Sequence, residues 1–128
     1  MHLTAHAGEG TSAGSVWAAL ELGAERIGHG IASVDDPALM AHLRDRAIPL
    51  EICMTSNVVT GVVKRMEDHP VRRLFDAGVP IILNTDDPAM FGCTLVGEYR
   101  VAARLGFSEA ELRGIAENGF RFAFALRQ

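Results

Sequence analysis

Residue types suited to acid–base and metal chemistry recur in four short clusters of this 128-residue chain. They are His6-Ala7-Gly8-Glu9, Gly28-His29-Gly30, Thr55-Ser56-Asn57 and Asn84-Thr85-Asp86-Asp87-Pro88. Imidazole and carboxylate are suitable ligands for zinc or a similar divalent ion. Such an ion makes a bound water acidic enough to supply hydroxide near neutral pH, and hydroxide can attack an electrophilic carbon. In that scheme Glu9 is suited to act as an acid. His29, set between two glycines, is suited to act as base or electrostatic stabiliser, and Asp87 is left to bind the substrate. The fourth cluster has a plainer alternative. Two adjacent carboxylates at the end of a buried strand are costly unless something binds there, yet Asp before Pro is also a common way to open a helix.

The elements that must position these groups follow from the apolar pattern. Residues 1–5, 24–27, 48–53 and 79–84 read as four short strands, each running into one of the clusters. Residues 12–22 read as a helix that stops at Gly23, and Asp36-Pro37 opens another. Further helices are expected over 70–77, over 95–105 and from Ser108, where Glu111 three residues on makes a capping box. The stretch from Asn57 to about His69 reads as loop, and Phe120, Phe122 and Phe124 read as core packing. Strand followed by helix, four times over, predicts an α/β fold with right-handed crossovers and a parallel sheet. Chemistry in such folds collects at the C-terminal ends of the strands, where all four clusters fall.

Composition narrows the function. The chain is 48% hydrophobic and 22% charged, with a formal net charge of −4. That balance suits one globular domain and gives no reason to expect nucleic acid as a partner. No apolar run is long enough to span a membrane, so no membrane role is expected. Two cysteines without C-x-x-C spacing suggest a reducing cytoplasm. There is no H-E-x-x-H, no P-loop, no dinucleotide glycine fingerprint and no P-C-x-x-C.

Together with Arg26-Ile27 before Gly28 and Ala89-Met90-Phe91-Gly92 after Pro88, the clusters resemble the adenosine deaminase family, in order and at similar spacing. The resemblance extends through Glu98-Tyr99 and Asn118, over essentially all of residues 1–128. It implies a (β/α)8 barrel of the amidohydrolase type that hydrolyses the 6-amino group of adenosine or a related 6-aminopurine, with one Zn2+ per complete site. It implies His6 and Asp86 as zinc ligands, and Glu9, His29 and Asp86 as catalytic residues. Glu9 would protonate purine N1, His29 would orient and help deprotonate the attacking water, and Gly8 and Asp87 would bind substrate. Two departures stand out. Met54 replaces the usual Pro before T-S-N, and the H-x-H pair of the family's first strand is absent. His2 and His6 are four residues apart, and His2 reads as a non-ligand.

The chain is therefore expected to be the C-terminal half of a barrel, strands five to eight with the terminal helices. Such a half leaves unsatisfied sheet edges and an uncovered inner face, so alone it should be inactive and sticky or dimeric. A missing N-terminal half or a second copy is the expected macromolecular partner, and a purine nucleoside the small one. The alternative class is a non-catalytic interaction domain that keeps the motifs. A phosphoacceptor domain with an acidic Mg2+ pocket at Asp86 and Asp87 would need none of the other clusters.

Overall fold

The computed structural model describes residues 1–124. Strands β1 (Thr4–Ala7), β2 (Arg26–His29), β3 (Leu50–Ile52) and β4 (Ile81–Leu83) form one parallel sheet in the order β1-β2-β3-β4. The helices are α1 (Ala13–Glu21), α2 (Pro37–Asp45), α3 (Met54–Val59), α4 (Val71–Asp76), α5 (Pro88–Phe91), α6 (Leu95–Arg104) and α7 (Glu109–Arg121). Among the described residues no helix is long and apolar enough to cross a membrane.

Parallel pairing puts partners in register on the same face, so the two faces can be read from the ladder. One face carries Ala7, Ile27, Leu50, Ile52, Ile81 and Leu83, all buried beneath the helices. The other carries Thr4 and His6 beside Arg26 and Gly28, then Glu51, then Ile82. Arg26 Nε lies 2.9 Å from Glu51 Oε1 across it, although the N–H is not aimed at the carboxylate and the contact is an ion pair rather than an aligned hydrogen bond. A hydrophobic core on one side and charge on the other is the inverse of the two-sided burial usual for a parallel sheet in a closed domain.

Several elements start elsewhere than the apolar pattern predicts. Residues 1–3 do not extend β1. Leu3 exchanges backbone and side-chain hydrogen bonds with Glu25, whose carboxylate also holds His2 at 3.0 Å. His6 is consequently inside the strand rather than beyond it. Ala24 N–H is spent on Ala19 O in closing α1, so β2 begins at Arg26 and runs through His29. The expected α2 and α7 caps are present: Asp36 accepts from Leu39 N–H, and Ser108 and Glu111 form the full capping box. The core packing expected of the terminal phenylalanines is not borne out, since Phe122 and Phe124 are only half-buried. Phe120 is 86% exposed. Phe124 stands instead between the His2 ring, 4.6 Å away, and the Arg26 guanidinium, 4.0 Å away.

Thr55-Ser56-Asn57 and the next two residues of the stretch expected as loop lie in helix α3, which starts at Met54. Its residues Met-Thr-Ser-Asn-Val-Val are mostly poor helix formers, and its N-cap, Cys53, offers no side-chain cap. The cap comes from α6. Fully buried Glu98 accepts the backbone N–H of Thr55 at 3.2 Å and the Thr55 hydroxyl at short range. A carboxylate at a helix N-terminus satisfies orphan amides and meets the positive end of the helix dipole. Glu98→Ala should therefore lower the unfolding free energy by about 1–3 kcal/mol. Glu98→Gln, which keeps one acceptor, should lose less. Urea denaturation followed by circular dichroism measures both.

Candidate active site

The carboxyl ends of the four strands converge on a cavity of about 220 Å³ lined by His6, Gly28, His29, Glu51, Cys53, Asn84, Thr85 and Asp86. His6 reaches it from the penultimate position of β1. Its ring lies across Gly28, where a Cβ would come within 2.7 Å of His6 Cδ2. Glycine at position 28 is thus the space the imidazole occupies. The His6 and His29 rings meet edge to face, centroids 5.1 Å apart.

His29 ends β2 with a left-handed backbone, φ 63°. Asp86, after β4, has φ 59°. A non-glycine residue in this region costs about 1 kcal/mol or more and persists only where the surroundings enforce it. Both residues turn out of their strands and both line the cavity. Gly30 follows His29 with φ 67°, and its N–H closes back onto Ala7 O at 2.9 Å, which ties the β2 exit to β1.

Helix α3 serves these groups from the third strand end. Ser56 Oγ donates to Asp86 Oδ2 at 2.7 Å. Asn57 Nδ2 donates to Glu9 Oε1 at 3.2 Å and is 3.2 Å from His29 Nδ1. Glu9 Oε2 lies 3.4 Å from His29 Nε2. Ser56 and Asn57 are fully buried, so their donors have no water to turn to. Burial lowers the His29 pKa, chiefly by desolvation, with the Glu9 carboxylate opposing. Burial also pushes the Cys53 thiol up to about 12, assisted by Asp86, Glu98 and Glu51. Cys53 therefore lines the cavity as a neutral thiol.

Of the residues expected to act, the structure brings His6, His29 and Asp86 to one cavity and sets Glu9 against His29. Gly8 forms the turn before Glu9, and its N–H and C=O are both engaged, by Ser15 Oγ and Ala32 N–H. Asp87 does not line this cavity. It caps α5 by accepting from Met90 N–H at 2.8 Å, which is the plainer reading of Asp-Asp-Pro. Asp86 and Asp87 are both exposed, so the pair carries no burial penalty; the cost at this strand end is the backbone angle of Asp86. Among the described residues, no three His, Cys, Asp or Glu side chains are gathered to hold a metal. His6 and Asp86 are zinc-type donors on one cavity, a partial set that fits the ion without enclosing it.

Three participants, Glu51, Glu98 and His69, have no role assigned to them by the sequence, although Glu98 falls within the resemblance. Glu51 was legible, since an acid between Leu50 and Ile52 in a strand must face away from the core. Glu98 and His69 carry no local signal. His69, buried in the segment before α4, is 3.1 Å from Asn57 Oδ1 through Nε2.

A family model for adenosine deaminase matches residues 1–128. An aminodeoxyfutalosine deaminase of Streptomyces coelicolor is 51% identical over 126 residues, covering 97% of this chain and 33% of that protein. An adenosine deaminase of Klebsiella pneumoniae is 47% identical over 125 residues, covering 96% of this chain and 38% of that protein. The chain thus spans little more than a third of the length of these relatives. Among solved structures, an adenine deaminase from Arthrobacter aurescens superposes with a TM-score of 0.93 at 35% identity, over 98% of this chain and 39% of that one. A zinc-bound amidohydrolase from Burkholderia ambifaria gives 0.89 at 29%, over 98% and 36%. Arabidopsis ADAL in complex with IMP gives 0.83 at 35%, over 98% and 36%.

The buried imidazole of His69 makes stability depend on pH. Desolvation lowers its pKa from 6.5 to about 4. The unfolded chain then binds a proton that the folded chain refuses. The folded state should be unaffected by His69 above pH 6.5 and should lose up to about 3 kcal/mol as pH falls from 6.5 to 4. His69→Gln should flatten that part of the stability–pH curve, measured by urea unfolding at a series of pH values.

Proposed function

Because the chain belongs to the adenosine deaminase family, we propose that it carries part of a site that hydrolyses the 6-amino group of a purine, yielding the 6-oxo product and ammonia. The observation that carries this reading is the meeting of His6, His29 and Asp86 in one cavity from the ends of β1, β2 and β4, with Glu9 held against His29. The relatives named above differ in the purine they are named for, and the shared element is the 6-amino group. The substrate is accordingly a 6-aminopurine, free or as a nucleoside or larger derivative.

We read β1 to β4 as strands five to eight of an eight-stranded barrel. The all-parallel sequential order and the charged face opposite the helices support this. The remaining strands would come from outside these residues, whether from the same polypeptide, another chain or a second copy. They would cover the face that holds Arg26 and Glu51 and supply the other metal donors.

His6 and Asp86 would hold Zn2+ together with those donors. When bound, the ion supplies an activated water. The other roles belong to this chain. Glu9 gives a proton to purine N1, which makes C6 more electrophilic. His29 orients the water as base or electrostatic stabiliser. Ser56 keeps the Asp86 carboxylate aimed by donating to one of its oxygens. Gly8 and Asp87 bound the purine, with Asp87 hydrogen-bonding N7, which requires it to share or release the α5 amide it now caps. We place the reaction in the cytoplasm, in keeping with two free thiols, Cys53 and Cys93.

A non-catalytic module is the second reading, favoured by the incomplete donor set among the described residues. One assay separates the two. The chain is mixed with a polypeptide bearing the first four strands of a relative, and ammonia release from adenosine and adenine is followed with and without zinc. Zinc-dependent release only from the mixture is expected. Glu9→Gln and Asp86→Asn should each lower kcat/KM by about a hundredfold or more. Binding without turnover would favour the module. Turnover by the chain alone would overturn the partial-site reading.

A further inference from the structure

The hydrogen bonds behind His29 fix which of its nitrogens carries the proton. They start from a group that cannot be reassigned. Val71 N–H, a backbone donor at the start of α4, lies 3.1 Å from His69 Nδ1. His69 Nδ1 must therefore be an acceptor. A neutral imidazole has one N–H, so that proton is on Nε2. Nε2 lies 3.1 Å from an atom of the Asn57 side chain, which must accept and is therefore Oδ1. This settles the orientation of the Asn57 amide, and its NH2 faces the other way. That NH2 has two protons and two neighbours, Glu9 Oε1 and His29 Nδ1, each at 3.2 Å. A carboxylate oxygen only accepts, in keeping with this orientation. His29 Nδ1 must then accept as well.

We propose that His69 is a positioning residue which, through Asn57, holds the proton of neutral His29 on Nε2 and so makes His29 a hydrogen-bond donor to the reacting centre. The proposal rests on the deaminase reading for its consequence and selects between the two roles that reading leaves to His29. Nδ1 is occupied by Asn57, so Nε2, which stands 3.4 Å from Glu9 Oε2, is the ring nitrogen left to face substrate or water. A donor at Nε2 stabilises developing negative charge on an attacking oxygen. It does not take a proton. To act as a base there, His29 would first have to move its proton to Nδ1, which requires Asn57 to turn over. Turning Asn57 over would set its NH2 against His69 Nε2–H and its carbonyl against the Glu9 carboxylate. The first clash is buried, since Asn57 and His69 are 0% and 6% exposed, and the second holds while Glu9 is ionised. The Val71 amide therefore reaches His29 through three hydrogen bonds and the two side chains of His69 and Asn57, and each link depends on the one before.

The test reads protons rather than turnover. The chain is labelled with 15N-histidine, and two-bond 1H–15N spectra are recorded at neutral pH for the wild type, His69→Gln and His69→Phe, with His29→Asn to assign the resonance. In the wild type, His29 and His69 should both show protonated Nε2 and unprotonated Nδ1. Glutamine places an amide N–H near the position of His69 Nε2, so His29 should keep its tautomer in His69→Gln. Phenylalanine removes the donor, frees Asn57 to turn, and should bring the Nδ1–H form of His29 to a comparable population. A merely structural His69 would leave the His29 tautomer unchanged in the phenylalanine variant, and that result overturns the proposal. So does Nδ1–H on either histidine in the wild type, or loss of the Nε2–H form in His69→Gln. If the phenylalanine variant does not fold, the wild-type and glutamine spectra decide by the same criteria. The spectra need neither zinc nor substrate. They can fail while the complementation assay succeeds, and the reverse.

Discussion

Three consecutive side chains at the start of α3 each donate to a different acid, and the site depends on that arrangement. Thr55 serves Glu98 of α6, Ser56 serves Asp86 beyond β4, and Asn57 serves Glu9 beyond β1. The acids come from three separate parts of the chain. Gathered at one end of a sheet they would repel one another, and neutral donors from a single turn of helix hold them in place without adding charge. The helix in turn needs one of them, since Glu98 supplies the cap that Cys53 lacks. Site and scaffold are thus satisfied by the same hydrogen bonds. A change to any of the three donors is a change to both.

The sheet separates folding from chemistry by its pleat. Residues facing the helices are apolar and buried, and their neighbours one position along bear the imidazole of His6, the guanidinium of Arg26 and the carboxylate of Glu51. Because the period is two, these groups reach the open face without displacing a core residue. The cavity is built where the strands end, where backbone direction can depart from the ladder. His29 and Asp86 make that departure with left-handed backbones.

Much of this was legible in the sequence because it is local. Asp36 and Ser108 announce their helices through residues within one turn, and each strand is an apolar run ending in a polar cluster. The clusters at His6, His29 and Asp86 do meet. What was illegible is set by distance along the chain. Nothing near Thr55 suggests a helix, because its cap lies 43 residues away. His69 looks like any loop residue until folding puts it against Asn57. Asp87 reads two ways from the sequence, as a helix cap or as a binding carboxylate, and in the fold it caps α5. Phe120 has the residue type of a core position, but α7 leaves it 86% exposed. The backbone angles at positions 29 and 86 have no signal in residue identity, since neither is glycine.

Those two angles carry a consequence for how this chain can change. Glycine would relax either position, and asparagine to a smaller degree, because both tolerate a left-handed backbone. Each replacement would remove the imidazole or carboxylate that lines the cavity. Mutations that harden the scaffold at these points are therefore the ones that empty it. A laboratory lineage selected only for heat resistance would drift towards loss of both groups, and a counter-selection for ligand would be needed to keep them.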